Sequence, residues 1–233
     1  MEKIRVRFSQ VDASFKLNLI SLSALIEDAT TEYLENHHLN NEYLKPLYNI
    51  ILVVLRNKMM IEKMPSLNDI LDFEVHLVKV NHMSFMLETH VISNNEVVVT
   101  SYTEICGINY KSRESISLDM LNIKEDGILP KIRIYSRIPS IEKQNELTHK
   151  VYSSDIDYSS HLNNVSYVRY YLNALNSSLY QSLDIYEFEI NFNLEVLEDE
   201  LITTIYQNND HEIVFNILKQ DNSISSKAVL RYR

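Results

Sequence analysis

Two long stretches of the chain place apolar residues at three- and four-residue steps, and each is followed by a series of shorter runs rich in β-branched and aromatic residues. The first stretch, Leu19 to His38, carries Leu22, Leu25, Ile26, Ala29 and Tyr33 on one face, with Asn18 placed to cap its start. The second, Asn164 to Ser182, carries Val165, Val168, Tyr171, Leu172, Leu175 and Leu179 in the same way. Strands are predicted near Lys3–Val11 and at Ile50–Ile61, Ile70–Asn81, Ser84–Ser93 and Val97–Asn109, then near Thr148–Ser153 and at Tyr186–Val196, Leu201–Gln207, Ile213–Lys219 and Ser223–Tyr232. Asn94-Asn95 marks a hairpin turn. Strand, helix, then four strands, read twice, is a tandem α+β arrangement in which each long helix is wrapped by an antiparallel sheet.

The repetition extends to individual residues. Laid with Asp12 on Asp157, VDASFKLNLIS runs beside IDYSSHLNNVS without a gap, and Asp12/Asp157, Ser14/Ser159, Leu17/Leu162, Asn18/Asn163 and Ser21/Ser166 are identical. The copies part at two reactive positions: His161 faces Lys16, and Asn164 faces Leu19. A duplicated scaffold with one reactive centre, in its second half, is the expectation. Between the units, residues 119–146 lose the pattern and hold Gly127, Pro130 and Pro139, which makes this region the linker candidate, although KIRIYSRI within it alternates like a strand.

The composition narrows the possibilities. At 233 residues the chain suits two units of about 100 each. A net charge of −10 argues against nucleic acid or an anionic membrane as partner. The first residues form no signal-like apolar region and no run approaches the roughly 18 apolar residues of a membrane span, so a soluble, cytoplasmic protein is expected. The one cysteine, Cys106, reads as a buried small hydrophobe. No metal-ligand spacing occurs among the eight histidines, and neither metal nor cofactor is implied.

The segment DIDYSSHLNN, residues 155–164, concentrates carboxylates, hydroxyls, an imidazole and two amides just before the second helix. Asp157 and His161, four apart in a turn, can place a carboxylate where it fixes an imidazole's tautomer. The backbone N–H groups around Asn163 to Val165, at a helix start, suit a developing oxyanion. Taken singly, Asn163 reads first as a helix cap and Asp155 as a turn or surface residue.

The element order, the pattern Asp155, Asp157, His161, Asn163, Asn164 and the following Tyr167 resemble the acyl-acyl-carrier-protein (acyl-ACP) thioesterases of plants and bacteria, as do LRNKMMIEKMPSLNDILDFEVHL and FNLEVLEDELI after the two helices. The resemblance implies a double hotdog fold, with residues 1–125 an N-terminal hotdog holding the acyl chain, 126–146 a linker and 147–233 a C-terminal hotdog carrying the reacting groups. It implies hydrolysis of fatty acyl-ACP by activated water, with Asp157, Ser159, His161 and Glu195 catalytic. Glu195 would be the general base, His161 would position or polarise water and thioester, and Asp157 would orient the loop. Asn163, Asn164, Met59 and Met60 are candidate substrate contacts, the last two because flexible thioethers suit an acyl chain. Ser159 stands where the family has Asn, and Val196 where it has Cys, so a thiolate route is excluded at that position. The partner implied is acyl carrier protein, met by basic residues from Arg56, Lys58 and Lys63 or from Lys131, Arg133 and Arg137. Two rivals stay open, an acyl-CoA thioesterase with the same residues and a catalytically impaired acyl-binding protein, as does further pairing into a homodimer.

Overall fold

The computed structural model describes residues 2–142 and 145–233, so residues 143 and 144 of the expected linker lie outside the described residues. The first half contains β1 (Ile4–Arg5), α1 (Leu19–Asn36), α2 (Asn41–Tyr48), β2 (Ile50–Ile61), β3 (Ile70–Val80), β4 (Ser84–Ser93) and β5 (Glu96–Asn109). The second contains β6 (Asn145–Lys150), α3 (Asn164–Asn173), α4 (Ser177–Ser182), β7 (Ile185–Phe192), β8 (Leu201–Asn209), β9 (Glu212–Leu218) and β10 (Ile224–Tyr232). The ten strands of the described residues join one antiparallel sheet in the order β1-β3-β4-β5-β2-β7-β10-β9-β8-β6. Read from the centre outward, the order is the same in each half. β2 and β7 form the seam, from Arg56↔Asn191 to Met60↔Glu187.

Leu19, Leu22, Leu25, Ile26 and Ala29 of α1 and Tyr167, Val168, Tyr171 and Leu172 of α3 enter one apolar cluster with Met59, Phe188, Ile190 and Phe215 of the sheet. Period 3.6 on the helices meets period 2 on the strands, and both helices cover the same face. Asn18 caps α1 by accepting from Ser21 N–H at 2.8 Å. Asn94 and Asn95 both adopt left-handed φ, 53° and 64°, as the tight hairpin between β4 and β5 requires.

Several elements depart from the sequence reading. The first strand is only two residues long, because Phe8–Gln10 turns into a short 3-10 helix. The second long helix divides: Asn176 accepts from Leu179 N–H at 2.8 Å and starts a new helix, the local competition a short amide offers. The sequence reading did not include α2, a helix with Pro46 inside it that buries Leu44. KIRIYSRI forms no strand; it crosses the outer face of the sheet as a strap, burying Ile134, Tyr135 and Ile138. Strap and sheet join through buried charge. Glu189 accepts from Ser136 N–H at 2.9 Å and from Ser136 Oγ at 2.8 Å, and Tyr135 lies over the Arg56 guanidinium at 3.9 Å.

Candidate active site

The duplication persists in the hydrogen bonds. In the first half Asp12 N–H donates to Lys16 O, Phe15 N–H to Asp12 O, Asn18 N–H to Gln10 O and Leu17 N–H to Pro65 O; in the second Asp157 N–H donates to His161 O, Ser160 N–H to Asp157 O, Asn163 N–H to Asp155 O and Leu162 N–H to Val196 O. Phe15 and Ser160 share left-handed φ, 60° and 67°. One backbone turn is thus built twice, and each copy is stapled to the loop after the first long strand of its half.

That staple makes the site. Leu162 N–H donates to Val196 O at 2.8 Å, which brings the turn against this loop, and there His161 Nε2 is 3.0 Å from Glu195 Oε2. In the first half the corresponding staple, Leu17 to Pro65, pairs Lys16 with Ser66, and the positions that match His161 and Glu195 are Lys16 and Met64, neither an imidazole nor an acid. Glu195 sits in a loop rather than on a strand, since β7 ends at Phe192. Tyr167, buried on α3, donates its hydroxyl to Leu194 O at 3.4 Å and holds this loop from beneath. The Glu195 side chain is about half exposed and borders a cleft of about 390 Å³ lined also by Leu194, Leu197 and Lys219.

The remaining predicted residues serve the turn. Asp157 Oδ1 accepts from Ser159 N–H at 2.8 Å and His161 N–H at 3.4 Å, so its carboxylate holds the backbone, and the carboxylate at the ring is that of Glu195. Ser159 is exposed. Asn163 caps α3, accepting from Val165 N–H at 2.7 Å. The N–H of Asn163 is engaged by Asp155 O and that of Val165 by the Asn163 side chain, while Asn164 is the first residue of α3. Met59 and Met60 cannot line one pocket: strand alternation buries Met59 on the helix-covered face and sets Met60 against the cluster under the strap.

Two readings are corrected. Asp155 does form a turn, closing the short 3-10 helix Ser153–Asp155 and accepting from Tyr152 N–H at 3.1 Å, but it is buried instead of on the surface, accepting from Tyr170 Oη at 2.7 Å and paired with Arg169 at 3.0 Å. Arg56 and Lys58 belong to no free basic patch: Arg56 pairs with Glu104, and Lys58 is buried against Glu187 at 3.0 Å. Lys63, Lys131, Arg133 and Arg137 are exposed.

The sequence reading missed two residues. Arg113, in the turn after β5, forms a salt bridge with Glu195 Oε1. Burial lowers the His161 pKa and Arg113 lowers it further, against the opposing pull of Asp157, which favours a neutral ring at pH 7. Glu27 on α1 lines a cleft of about 300 Å³ between α1 and α3, with Asp28, Asn163, Ser166 and Arg169. Burial, then Asp28 and Asp157, push its carboxyl up to about 7. The repeat held the signal for Glu27, because the aligned residue in α3 is the buried Leu172. A raised carboxyl pKa means the folded state binds the proton more tightly, so Glu27 costs stability as pH rises from about 4.5 to 7. Glu27→Gln is therefore expected to gain stability relative to the parent between pH 5 and pH 8, by roughly 1–3 kcal/mol. Urea unfolding at the two pH values checks this; an equal difference at both refutes it.

Comparison with known proteins agrees with the resemblance read from the motif. Residues 138–231 match the family model of the acyl-ACP thioesterase C-terminal domain. The chain superposes over 100% of its length on 96% of an acyl-ACP thioesterase from Bacteroides thetaiotaomicron, with a TM-score of 0.91 at 17% identity. It does so equally over 96% of the 12:0-ACP thioesterase from Umbellularia californica, with a TM-score of 0.88 at 15% identity. These likenesses establish the shared hotdog fold. A comparison with curated protein sequences finds no match. Among the described residues no helix is long and apolar enough to cross a membrane.

Proposed function

We propose that this protein, a thioester hydrolase by the family of its C-terminal half, releases fatty acids from acyl carrier protein by attack of water on the thioester carbonyl. The observation that carries this reading is the 3.0 Å approach of His161 Nε2 to Glu195 Oε2 beside an open cleft. Glu195 takes a proton from water as the oxygen attacks, and the neutral His161 ring fixes the orientation of that carboxylate and of the reacting groups. Negative charge developing on the carbonyl oxygen is received by Asn164 N–H at the positive end of α3. Collapse of the intermediate breaks the C–S bond, and the proton held by Glu195 passes to the departing thiolate. Residue 196 is valine, and burial raises the Cys106 thiol pKa, so a water mechanism fits this chain better than a cysteine nucleophile.

In this reading residues 1–125 house the acyl chain, 147–233 supply the reacting groups and 126–146 bind the two together. Among the basic candidates, the exposed Lys63, Lys131, Arg133 and Arg137 are the ones placed to meet an acidic carrier protein. Purified protein incubated with carrier protein charged with C8 to C18 chains should release free acid, detected by mass spectrometry. No release above a His161→Ala control overturns the proposal. Faster turnover of the CoA thioester of the same chain replaces the carrier protein with CoA as substrate.

A further inference from the structure

We infer that Arg113 is a positioning residue of this site, contributed by the first half of the chain, which fixes the plane of the Glu195 carboxylate so that its second oxygen meets His161. The inference rests on the thioesterase reading above and extends it to a residue outside the motif. Arg113 engages Oε1 of Glu195 while His161 Nε2 stands 3.0 Å from Oε2, so the two carboxylate oxygens are held from opposite halves of the protein. A carboxylate offers about four lone-pair sites, so both contacts leave acceptor room for water.

Arg113 is delivered by a built turn. It adopts left-handed φ, 62°, and donates its N–H to Asn109 O at 2.9 Å. Asn109 Oδ1 accepts from Lys111 N–H at 2.9 Å, from Ser112 N–H at 3.0 Å and from Asn49 Nδ2 at 3.0 Å. A left-handed arginine costs backbone energy, and here four hydrogen bonds hold the turn that requires it. On the other side, the Glu195 backbone oxygen accepts from Lys219 Nζ at 2.8 Å, which also pairs with Glu200 at 3.0 Å. The loop is therefore anchored from beneath, while the half-exposed carboxylate depends on Arg113 and His161 for its orientation. A guanidinium suits this task because its planar fork sets direction as well as charge.

The charged groups facing His161 are Asp157 on its own turn, Glu195 on the loop after β7 and Arg113 on the turn after β5. Removing Arg113 removes a cation from beside the ring, so His161 gains a proton more easily and the acidic limb of the pH–rate profile moves to higher pH. Arg113→Ala is expected to lower kcat by about 10–100-fold with KM changed far less. Arg113→Lys is expected to keep the His161 pKa near the parent value while recovering only part of kcat, since an ammonium restores charge without the fork. In a Glu195→Gln background Arg113→Ala should cost little more.

An NMR titration of His161 in the parent, Arg113→Ala and Arg113→Lys proteins needs no substrate, and so it separates failure of this inference from failure of the thioesterase reading. A His161 pKa no higher in Arg113→Ala overturns the inference whether or not the parent hydrolyses thioesters. So does a fully additive kcat loss in the double variant. A raised His161 pKa in Arg113→Ala, reversed by Arg113→Lys, supports it.

Discussion

Glu195→Gln is expected to lower kcat on an acyl thioester by about 10²–10⁴-fold while leaving the fold intact. The side chain is about half exposed on a loop whose anchors are backbone and neighbouring groups: Leu162 N–H on Val196 O, Tyr167 on Leu194 O and Lys219 on the Glu195 carbonyl. A glutamine keeps the volume and an acceptor oxygen, and loses the capacity to take a proton from water together with the charge that Arg113 pairs with. His161→Ala should cost a similar factor, and the double variant little more than either, because in the proposed mechanism the two groups act on one water. Asp157 gives the contrast. It works through backbone N–H groups, so Asp157→Asn, which retains an acceptor, should be far milder than Asp157→Ala, which opens the turn. Kinetics of the five variants on one carrier-bound substrate, with circular dichroism to verify folding, decide the matter. Near-parental kcat in Glu195→Gln removes the general base and with it the proposed chemistry.

The repeated succession of elements was legible because the hydrophobic period changes from 3.6 to 2 twice, and because the repeated turn aligns residue by residue; the strand order within the sheet was not. The site was legible as far as it lies within a continuous motif. His161 and Asp157 stand four apart, and Glu195 comes from the resemblance of FNLEVLEDELI. Arg113 was not visible, since it stands in the turn YKSRE with no pattern of its own and reaches Glu195 only because the first half packs beside the second. The turn at Asp155 was legible, but not its burial, because contact with Arg169 and Tyr170 is a tertiary fact. The same holds for Arg56 and Lys58. On a strand they read as surface cations, until the strap covers that face.

The strap also creates the site where a single substitution should most affect stability. Lys58 on β2 lies opposite Glu189 on β7, buried beneath residues 134–136, with its ammonium 3.0 Å from Glu187 and 3.8 Å from Glu189. Glu187 has a second cation in Arg231, whereas wholly buried Glu189 has Lys58 at 3.8 Å, the uncharged N–H and hydroxyl of Ser136 and a longer-range attraction from Arg231. Lys58→Met fills a similar volume with an apolar chain and takes from a buried carboxylate its nearest counter-charge. The expected loss is about 3–5 kcal/mol, or a fall in Tm on the order of 10 °C for a chain of this size. Adding Glu189→Gln to Lys58→Met should recover much of the loss, since an amide needs no cation and can still accept from Ser136. Urea unfolding of the parent, the single and the double variant checks both statements. A loss below about 1 kcal/mol in Lys58→Met would place the seam's strength in its apolar face, where Met59 meets Phe188, instead of in the buried charges on the other side.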